Sequence, residues 1–439
     1  MPSQPEKAAK AKRGVFGLVK NVLHSWFPIL KPEENVSVFL EPSAGPKKRT
    51  TRIVVVKKKA FKKGLKNEAA YVTKPATHPT KAPIENLKLE RVAANPILKP
   101  HDRNRWESQA TFNPAALYAD GKVHLIYRAI GKDDVSVLGY AMSHNGKTIH
   151  ERLAEPAYAA IKKEVDRSIP AADYGSGGGW SGGCEDPRLT LVDNVVYLLY
   201  TAFDGWGSIR IALSSISLDD FLNKRWNWEE PVIISPPGEI HKNWVIFPEK
   251  INGKYAILHS VSPAVRVDYF SDLNELRAEE KFIESRYVKA GRRKAWDSWV
   301  RGAGPPPMKT DKGWLLLYHA MDHADPNRYK LGAMLLDLND PTKILYRSSG
   351  PVLEPDACYE NEGFKAGVVY SCGAVIIDGK LFVYYGGADS VTCVATADLA
   401  HFLKELTTSG APKVRGVAKP KEKPYDRGKA LKKKSARLA

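Results

Sequence analysis

Five copies of one short pattern constrain the fold of this chain more than any other feature of its sequence. Each copy starts with a turn residue and a polar residue, continues with an apolar run, and ends in an aromatic residue or a histidine. The turn positions are Gly121, Asn194, Gly253, Gly313 and Gly379, at intervals of 73, 59, 60 and 66 residues. Since Asp-Gly and Asn-Gly before β-rich runs are strong hairpin signals, each copy predicts a pair of antiparallel strands.

Regular all-β repeats of this length are typical of propeller blades. The five copies therefore predict one five-bladed β-propeller over residues 91–404. A further strand-like segment follows each of the first two copies, at Leu138–Met142 and Ile209–Leu213. A β-sandwich with coincidental spacing is the alternative, whereas the lack of long helical periods counts against an α/β fold.

The formal net charge of +18 is carried by the two ends of the chain. Residues 1–90 contain 19 Lys and Arg against 7 Asp and Glu, and residues 405–439 contain 11 against 3, which leaves a net charge of −2 between them. Segments rich in Lys, Pro and Ala bury too little apolar surface to offset their ordering entropy. We therefore expect a basic, mostly disordered extension over 1–90, with one short amphipathic helix between Val15 and Trp26, and a basic tail over 405–439.

The near-neutral interval disfavours recognition of nucleic acid by the propeller, and contacts of the tails with anionic surfaces are expected to be non-specific. The four cysteines are Cys184, Cys358, Cys372 and Cys393; they form no Cys-x-x-Cys pair, so we expect reduced thiols and no metal. No apolar run approaches the roughly 20 residues of a membrane span, and no signal-peptide cleavage site is evident. These features predict a cytoplasmic protein.

The densest polar cluster is the segment 182–188, Gly-Gly-Cys-Glu-Asp-Pro-Arg, directly before the second repeat. Successive side chains on a strand point to opposite faces. We therefore expect only one of Glu185 and Asp186 to face the central channel and the other to pair with Arg188 or a backbone donor. The motif alone leaves open which of the two is the functional carboxylate and which the structural one. A salt-bridged turn without chemistry is the alternative.

Polar side chains recur where the repeat runs end. They are Arg128, Asp204, His319, Asp322 and Asp389, and Asn113-Pro114 precedes the first run. Strand ends of a propeller converge around its channel, and the loops at one end build the site. Repeated polar groups at one end therefore favour a functional site over solvated edge residues.

These residues resemble those of glycoside hydrolase family 130, the β-mannoside phosphorylases and related mannosidases, over roughly Asn95 to Leu403. The marks of the resemblance are Phe-Asn-Pro at 112–114, Tyr-Arg-Ala at 127–129, Gly-Cys-Glu-Asp-Pro-Arg at 183–188, Phe-Pro-Glu-Lys at 247–250, Gly-Pro-Pro-Pro at 304–307 and Tyr-Tyr-Gly at 384–386 with Asp389. The resemblance implies a five-bladed propeller and an inverting attack on a β-mannoside. In the phosphorylases the nucleophile is inorganic phosphate and the product is α-mannose 1-phosphate.

The resemblance also implies roles for individual residues. Asp186 matches the family's general acid, which acts through a sugar hydroxyl that relays the proton to the leaving oxygen. Asn113, Arg128 and Asp389 match positions that hold the mannosyl unit, and paired hydrogen bonds from such groups fix the orientation of sugar hydroxyls.

Phosphate requires a cluster of donors and positive charge. The candidates are Arg210, Lys242, His259 and Arg301, with His241 in addition. Arg210 and Lys242 fall where the family's phosphorylases carry basic residues, and we expect these two to converge beneath the mannosyl site. The sequence at 241–245 and 299–303 departs from the better-known members, so phosphorolysis and hydrolysis both stay open.

A hydrolase would need a second carboxylate about 6.5–9.5 Å from the first, and Glu362 and Asp322 are the candidates beside Asp186. A carbohydrate-binding propeller without catalysis is the alternative from another class. We expect an enzyme that cleaves short β-mannosides, with an oligosaccharide and inorganic phosphate as its partners and no cofactor; a homo-oligomer is left open.

Two further features bear on the site. The glycine-rich run at 175–179 lacks the Gly-Lys-Ser/Thr end of a phosphate-binding loop and predicts a mobile loop. Five tryptophans could stack on sugar rings or pack in the core: Trp180, Trp206, Trp244, Trp296 and Trp299.

Overall fold

The structure is a computed structural model that describes residues 87–159, 182–277, 281–286 and 290–409, together with two short strands before them. The predicted amphipathic helix, the glycine-rich run at 175–179, Trp180 and the C-terminal tail from residue 410 lie outside the described residues. Residues 1–79 and 80–439 form separate compact units. In the first unit, strand β1 (Val38–Phe39) pairs antiparallel with β2 (Val54–Val55).

Most of the described secondary structure of the second unit consists of antiparallel β-strands, as the repeats predict. It begins with β3 (Glu90–Arg91). The strands of the largest sheet are β4 (Ala110–Ala119), β5 (Lys122–Ile130), β6 (Ser136–Ser143), β7 (Glu151–Arg152), β8 (Gly183–Val192), β9 (Val195–Phe203), β10 (Ile209–Ser217) and β11 (Val232–Ile233). A single parallel pair, Ser136 with Gly183, joins an antiparallel unit of β4 to β7 to another of β8 to β11.

Three smaller antiparallel sheets follow. The strands of the first are β12 (Val245–Ile246), β13 (Tyr255–Ser260) and β14 (Arg266–Phe270). Those of the second are β15 (Trp299–Ala303), β16 (Met308–Thr310), β17 (Gly313–Asp322), β18 (Asp325–Leu336) and β19 (Ile344–Arg347). Those of the third are β20 (Val369–Ile377), β21 (Lys380–Gly387) and β22 (Val391–Asp398), with β3 paired to β22. The described strands from β3 onward thus form five successive antiparallel units.

Short helices cover the ends of the strands. Single 3-10 turns occur at Arg105–Glu107 and Leu273–Leu276, and α-helices at Leu218–Leu222, Cys358–Asn361 and Leu399–Ser409. No helix among the described residues is long and apolar enough to cross a membrane. The four cysteines are free, and all but Cys358 are buried.

The predicted hairpin turns have the backbone that their residues favour. Positive φ occurs at both central residues of four turns: Asp120-Gly121, Asp193-Asn194, Asn252-Gly253 and Asp378-Gly379. Two-residue turns of this kind match the right-handed twist of the flanking strands. The short polar or glycine pairs therefore fix the strand register in these units, and with it the positions of the strand ends.

An apolar core lies between each pair of successive units, and a fifth lies between the last unit and the first. Buried members of these cores, one from each side, are Tyr140 with Leu198, Leu199 with Ile257, Phe247 with Leu316, Leu317 with Val383, and Val394 with Leu125. Leu87 and Leu89 before β3, and Phe402 in the last helix, belong to the core between the fourth and fifth units. The folded body therefore includes residues on both sides of the interval 91–404.

Candidate active site

The site is built where the first strands of the units bulge. The pairing register shifts between Phe112 and Ala115 in β4 and between Glu185 and Arg188 in β8. Asn113 and Asp186 lie in these bulges with φ of 48° and 51°. Each precedes a proline, which has no N–H for the ladder and is tolerated in sheets at bulges. Asn and Asp are among the few residues that adopt left-handed backbone routinely, so the pairs Asn-Pro and Asp-Pro place these two side chains at equivalent points.

Glu185 and Asp186 face the same guanidinium, contrary to the expectation that only one of them faces the channel. Arg128 donates Nη2 to Oε1 of Glu185 at 2.9 Å and Nη1 to Oδ1 of Asp186 at 3.2 Å. The prediction was wrong because side chains alternate only along a regular strand, and the left-handed Asp186 breaks that alternation. Arg188 pairs with neither carboxylate; it donates to the backbone oxygen of Asp186 at 2.7 Å and to Oδ1 of Asn243 at 2.8 Å.

The residues predicted to hold the sugar converge on Asp186. Asn113 donates Nδ2 to Oδ1 of Asp186 at 2.8 Å, and Arg128 binds the same oxygen. Asp389 follows β21 with a φ of 51° and is also buried. Burial raises the pKa of Asp389 to about 6, although Lys365 and Arg128 oppose that rise. The first, second and fifth units therefore contribute to one buried polar cluster, which consists of Asn113, Arg128, Asp186 and Asp389.

Glu185 bridges two cations within this cluster. Its Oε2 accepts from Nζ of Lys242 at 3.1 Å, and its Oε1 accepts from Arg128. Burial raises the pKa of Glu185 to about 7, an effect that Arg128 opposes and Asp186 reinforces. Burial also lowers the pKa of Lys242 well below its usual value, and Arg128 and Arg301 lower it further. Burial thus opposes the charge on each of these two groups, whereas their contact at 3.1 Å favours it.

A further lysine, Lys365, was missed by the sequence reasoning. Its backbone N–H donates to the oxygen of Ala388 at 3.0 Å, which holds it beside the turn that carries Asp389. Burial lowers the pKa of Lys365, Asp389 raises it, and Arg301 lowers it. Lys365 lies outside the repeat runs, so neither spacing nor motif singles it out. Its presence adds a third cation near Lys242 and Arg301.

A cavity beside the cluster collects most of the predicted phosphate ligands. Lys242, His259 and Arg301 line it, together with His241. Arg301 lies over the ring of Trp299 at 4.8 Å, and Nδ1 of His259 lies 2.9 Å from Oγ of Ser285. The described part of the chain thus assembles three of the four expected ligands, from the third and fourth units and the segment before β12.

Arg210 lies close to His241, which lines this cavity, but does not line the cavity itself. Arg210 donates Nε to the backbone oxygen of Ser235 at 2.9 Å and stacks over Phe282 at 4.8 Å, and it is not among the lining residues. Burial lowers the pKa of His241 to about 4, and Arg210 contributes to that shift, so His241 is neutral near pH 7. The expected convergence of Arg210 with Lys242 is therefore replaced by Lys242 with Arg301 and His259.

The carboxylates expected for a hydrolase lie outside the cluster. The Asp322 carboxylate accepts from the backbone N–H of Ala324 at 3.0 Å, and Glu362 is exposed. The described residues contain no group of three side chains suited to a metal ion. Trp244 is buried against the rings of His241 and His259, so its role is packing of the cavity wall.

Comparisons with known proteins identify the family of this chain. A family model described as β-1,4-mannooligosaccharide phosphorylase matches residues 88–407. The chain is 38% identical to 1,2-β-oligomannan phosphorylase of Thermoanaerobacter sp. (strain X514), over 71% of this chain and 98% of that protein. It is 35% identical to β-1,2-mannobiose phosphorylase of the same strain, again over 71% and 98%.

A solved structure supports the same relationship. β-1,2-Mannobiose phosphorylase from Listeria innocua, in complex with β-1,2-mannobiose, superposes with a TM-score of 0.58 at 26% identity, over 73% of this chain and 99% of that one. The family match covers the whole body that carries the cluster around Asp186. The chain belongs to glycoside hydrolase family 130.

Proposed function

We propose that this protein is an inverting phosphorylase that cleaves short β-mannosides with inorganic phosphate and releases α-mannose 1-phosphate. The observation that carries the proposal is the combination, in one place, of the buried Asp186 with three half-buried cations, Lys242, Arg301 and Lys365. A phosphate anion that leaves water needs several charge-assisted bonds in exchange. A water nucleophile needs none of these cations.

We assign the mannosyl unit and the phosphate to different sides of the cluster. Asn113, Arg128 and Asp389 hold the mannosyl unit, and phosphate lies in the cavity with Lys242, His259 and Arg301. A phosphate oxygen attacks the anomeric carbon while the bond from that carbon to the leaving oxygen breaks. Asp186 supplies a proton that a sugar hydroxyl relays to the leaving oxygen, so the anomeric configuration inverts and charge balances. Arg210 supports this site from behind His241 rather than binding the anion.

We propose a β-1,2 linkage for the substrate. The two Thermoanaerobacter relatives match over nearly their full lengths and are named for β-1,2-linked mannosides, as is the Listeria innocua protein. The description of the family model names the β-1,4 linkage instead. A relative that matches over its full length indicates the linkage more closely than a description that covers the whole family.

We also propose that the five antiparallel units are the blades of a five-bladed β-propeller. The fifth apolar core, between the last unit and the first, supports this proposal, because it joins the two ends of the series. The pairing of β3 with β22 supports it as well, since a strand from the start of the body completes the last sheet. A crystal structure with four or six blades would contradict the proposal.

The function is tested with mannobioses of each β-linkage, incubated with and without phosphate and assayed for mannose 1-phosphate. We expect product from β-1,2-mannobiose only when phosphate is present, and no requirement for a cofactor or a metal ion. Release of free mannose at the same rate without phosphate would instead indicate a β-mannosidase. Binding without turnover of any substrate would indicate a carbohydrate-binding protein.

The remaining expectations concern the surroundings of the enzyme. We propose that it works in the cytoplasm, and that its basic ends contact anionic surfaces without specificity. Such contacts weaken steeply as salt concentration rises. Binding to an anionic polymer that survives high salt would contradict this view.

A further inference from the structure

The carboxylate of Glu185 occupies a position that the proposed reaction leaves without a role. Its two oxygens are each paired with a cation, Oε1 with Arg128 at 2.9 Å and Oε2 with Lys242 at 3.1 Å. The side chain is 1% exposed. Burying a charge is costly unless it is paired, so these two partners are what allow a charged Glu185 to be buried. One of them, Lys242, also lines the cavity assigned to phosphate.

We propose that Glu185 is an internal counter-anion that competes with phosphate for Lys242 and thereby sets the affinity of the site for phosphate. This inference rests on the proposed phosphorolysis. Phosphate that reaches Lys242 beside His259 and Arg301 meets an ammonium group whose charge Glu185 already neutralises. Two anions on one buried cation repel each other strongly, because little water screens them.

The neighbours of Glu185 allow this competition to be relieved by a proton. Arg128 and Lys242 stabilise the carboxylate, whereas Asp186 and Asp389 oppose its charge. Burial raises the pKa of Glu185 to about 7. A further anion nearby raises this pKa again, which at neutral pH converts the carboxylate to its protonated form. Phosphate binding therefore favours the protonated form of Glu185, which no longer competes for Lys242.

Glu185 acts in this scheme through other residues. One guanidinium nitrogen of Arg128 donates a hydrogen bond to Glu185, and another donates one to Asp186. Loss of the charge on Glu185 leaves Asp186 as the carboxylate that Arg128 still neutralises directly. Glu185 is therefore a positioning residue, which links the occupancy of the phosphate cavity to the group that holds the acid.

The substitution Glu185→Gln separates this role from a structural one. It removes the charge and keeps the size of the side chain. We expect the KM for phosphate to fall roughly three- to tenfold, since like charges in contact commonly cost an interaction of that order. The KM for the mannoside should change less than about twofold, because Asn113, Arg128 and Asp389 remain. A structural role predicts higher KM values for both substrates.

Glu107→Gln is the matched control. Glu107 is also buried, pairs with Arg152 at 2.7 Å and accepts from the Tyr127 hydroxyl at 2.7 Å, away from the cluster. This substitution should lower the melting temperature and leave the KM for phosphate unchanged. An unchanged or higher phosphate KM in Glu185→Gln overturns the inference while phosphorolysis by the wild-type enzyme stands.

A measurement on the wild-type enzyme covers the case in which Glu185→Gln does not fold. With ¹³C-labelled glutamate, a carboxyl resonance that titrates near pH 7 should move to higher pH when phosphate is added. Absence of that shift overturns the inference. If the wild-type enzyme binds no phosphate at all, the proposed function and the competition at Lys242 both fail, an outcome distinct from failure of the variant alone.

Discussion

Asp186 is the residue on which the proposed chemistry depends. Its Oδ1 accepts bonds from Asn113 and Arg128, and its backbone oxygen accepts from Arg188. The first two donors orient the side chain, and the third holds the backbone of the left-handed bulge. The rigidity matters because a proton donor works only when it is held within reach of the group that receives the proton.

The first prediction concerns this acid. Asp186→Asn keeps an oxygen that accepts from Asn113 and Arg128, so the protein should fold normally. Turnover should fall by about 10²- to 10⁴-fold, the usual contribution of acid–base catalysis. The rate of mannose 1-phosphate release and a thermal melt measure the two effects. Asp322→Asn, at the half-buried end of β17, is the control and should leave turnover unchanged; near-normal turnover in Asp186→Asn would exclude it as the acid.

A second prediction separates two cations that the sequence treats alike. Lys242→Met should raise the KM for phosphate roughly tenfold or more, because a charge-assisted bond to the anion is lost. Arg210→Met should change it less than about twofold, since Arg210 binds the Ser235 backbone and does not line the cavity. Initial rates at varied phosphate measure both. An equal effect of the two substitutions would place Arg210 in the phosphate site.

At this scale the sequence predicted which residue types meet, but not all of their partners. Asn113, Arg128, Asp186 and Asp389 were found from polar groups at repeat ends and from the family motifs, and they do converge. The shared orientation of Glu185 and Asp186 was not foreseen, because it depends on the backbone angle of a single residue. Lys365 was not predicted, because it lies in a loop outside the repeats.

At the scale of elements, the bulges and the close approach of β21 position the cluster. Gly386 in β21 lies against Asn113 in β4; a Cβ at Gly386 would lie 2.1 Å from Oδ1 of Asn113. A glycine is therefore required where the first and fifth units meet. The hairpin turns set the register of the strands, and the bulges then rotate the two functional side chains toward one point.

A third prediction tests this contact. Gly386→Ala should displace Asn113, lower stability by about 1–3 kcal/mol through overpacking and raise the KM for the mannoside. Gly350→Ala is the control, because an added Cβ there meets nothing within 4 Å, and its stability should be unchanged or slightly higher. Thermal melts and mannoside kinetics measure both variants. Equal behaviour of the two variants would show that Asn113 does not depend on the gap at Gly386.

The element scale is where the sequence was most informative. Four of the five predicted turns have the paired positive φ angles that Asp-Gly, Asn-Gly and Asp-Asn favour. A hairpin turn depends on two adjacent residues, so the local sequence is enough to predict it. The bulges were not predicted, because their signal, a polar residue before proline, is also common in loops.

At the scale of the molecule, a strand from the start of the body completes the last sheet. Arg91 in β3 donates to both oxygens of Glu360, at 2.8 and 2.7 Å. The Tyr385 hydroxyl and two backbone N–H groups bind the same carboxylate. The sequence boundary at residue 91 excluded Leu87 and Leu89, because a two-residue strand beside a basic segment leaves no periodic signal.

A fourth prediction follows from this pairing. Burial opposes ionisation of Glu360, but Arg91 and the backbone donors outweigh it and lower its pKa. A depressed pKa stabilises the fold above the unfolded value of about 4.3, and this stabilisation is lost as pH falls through the lower folded value. Glu360→Gln should cost about 3 kcal/mol at pH 7, and its difference from wild type should shrink below about pH 4. Denaturant melts across pH measure it; a constant difference would contradict the pairing.

The central claim is tested most directly by following one reaction by NMR. The enzyme is mixed with β-1,2-mannobiose and phosphate, and the first product is identified by its anomeric signal. The account predicts α-mannose 1-phosphate and free mannose in equal amounts, with no reaction when phosphate is left out. Free mannose as the sole product, formed at a rate that does not depend on phosphate, would contradict it.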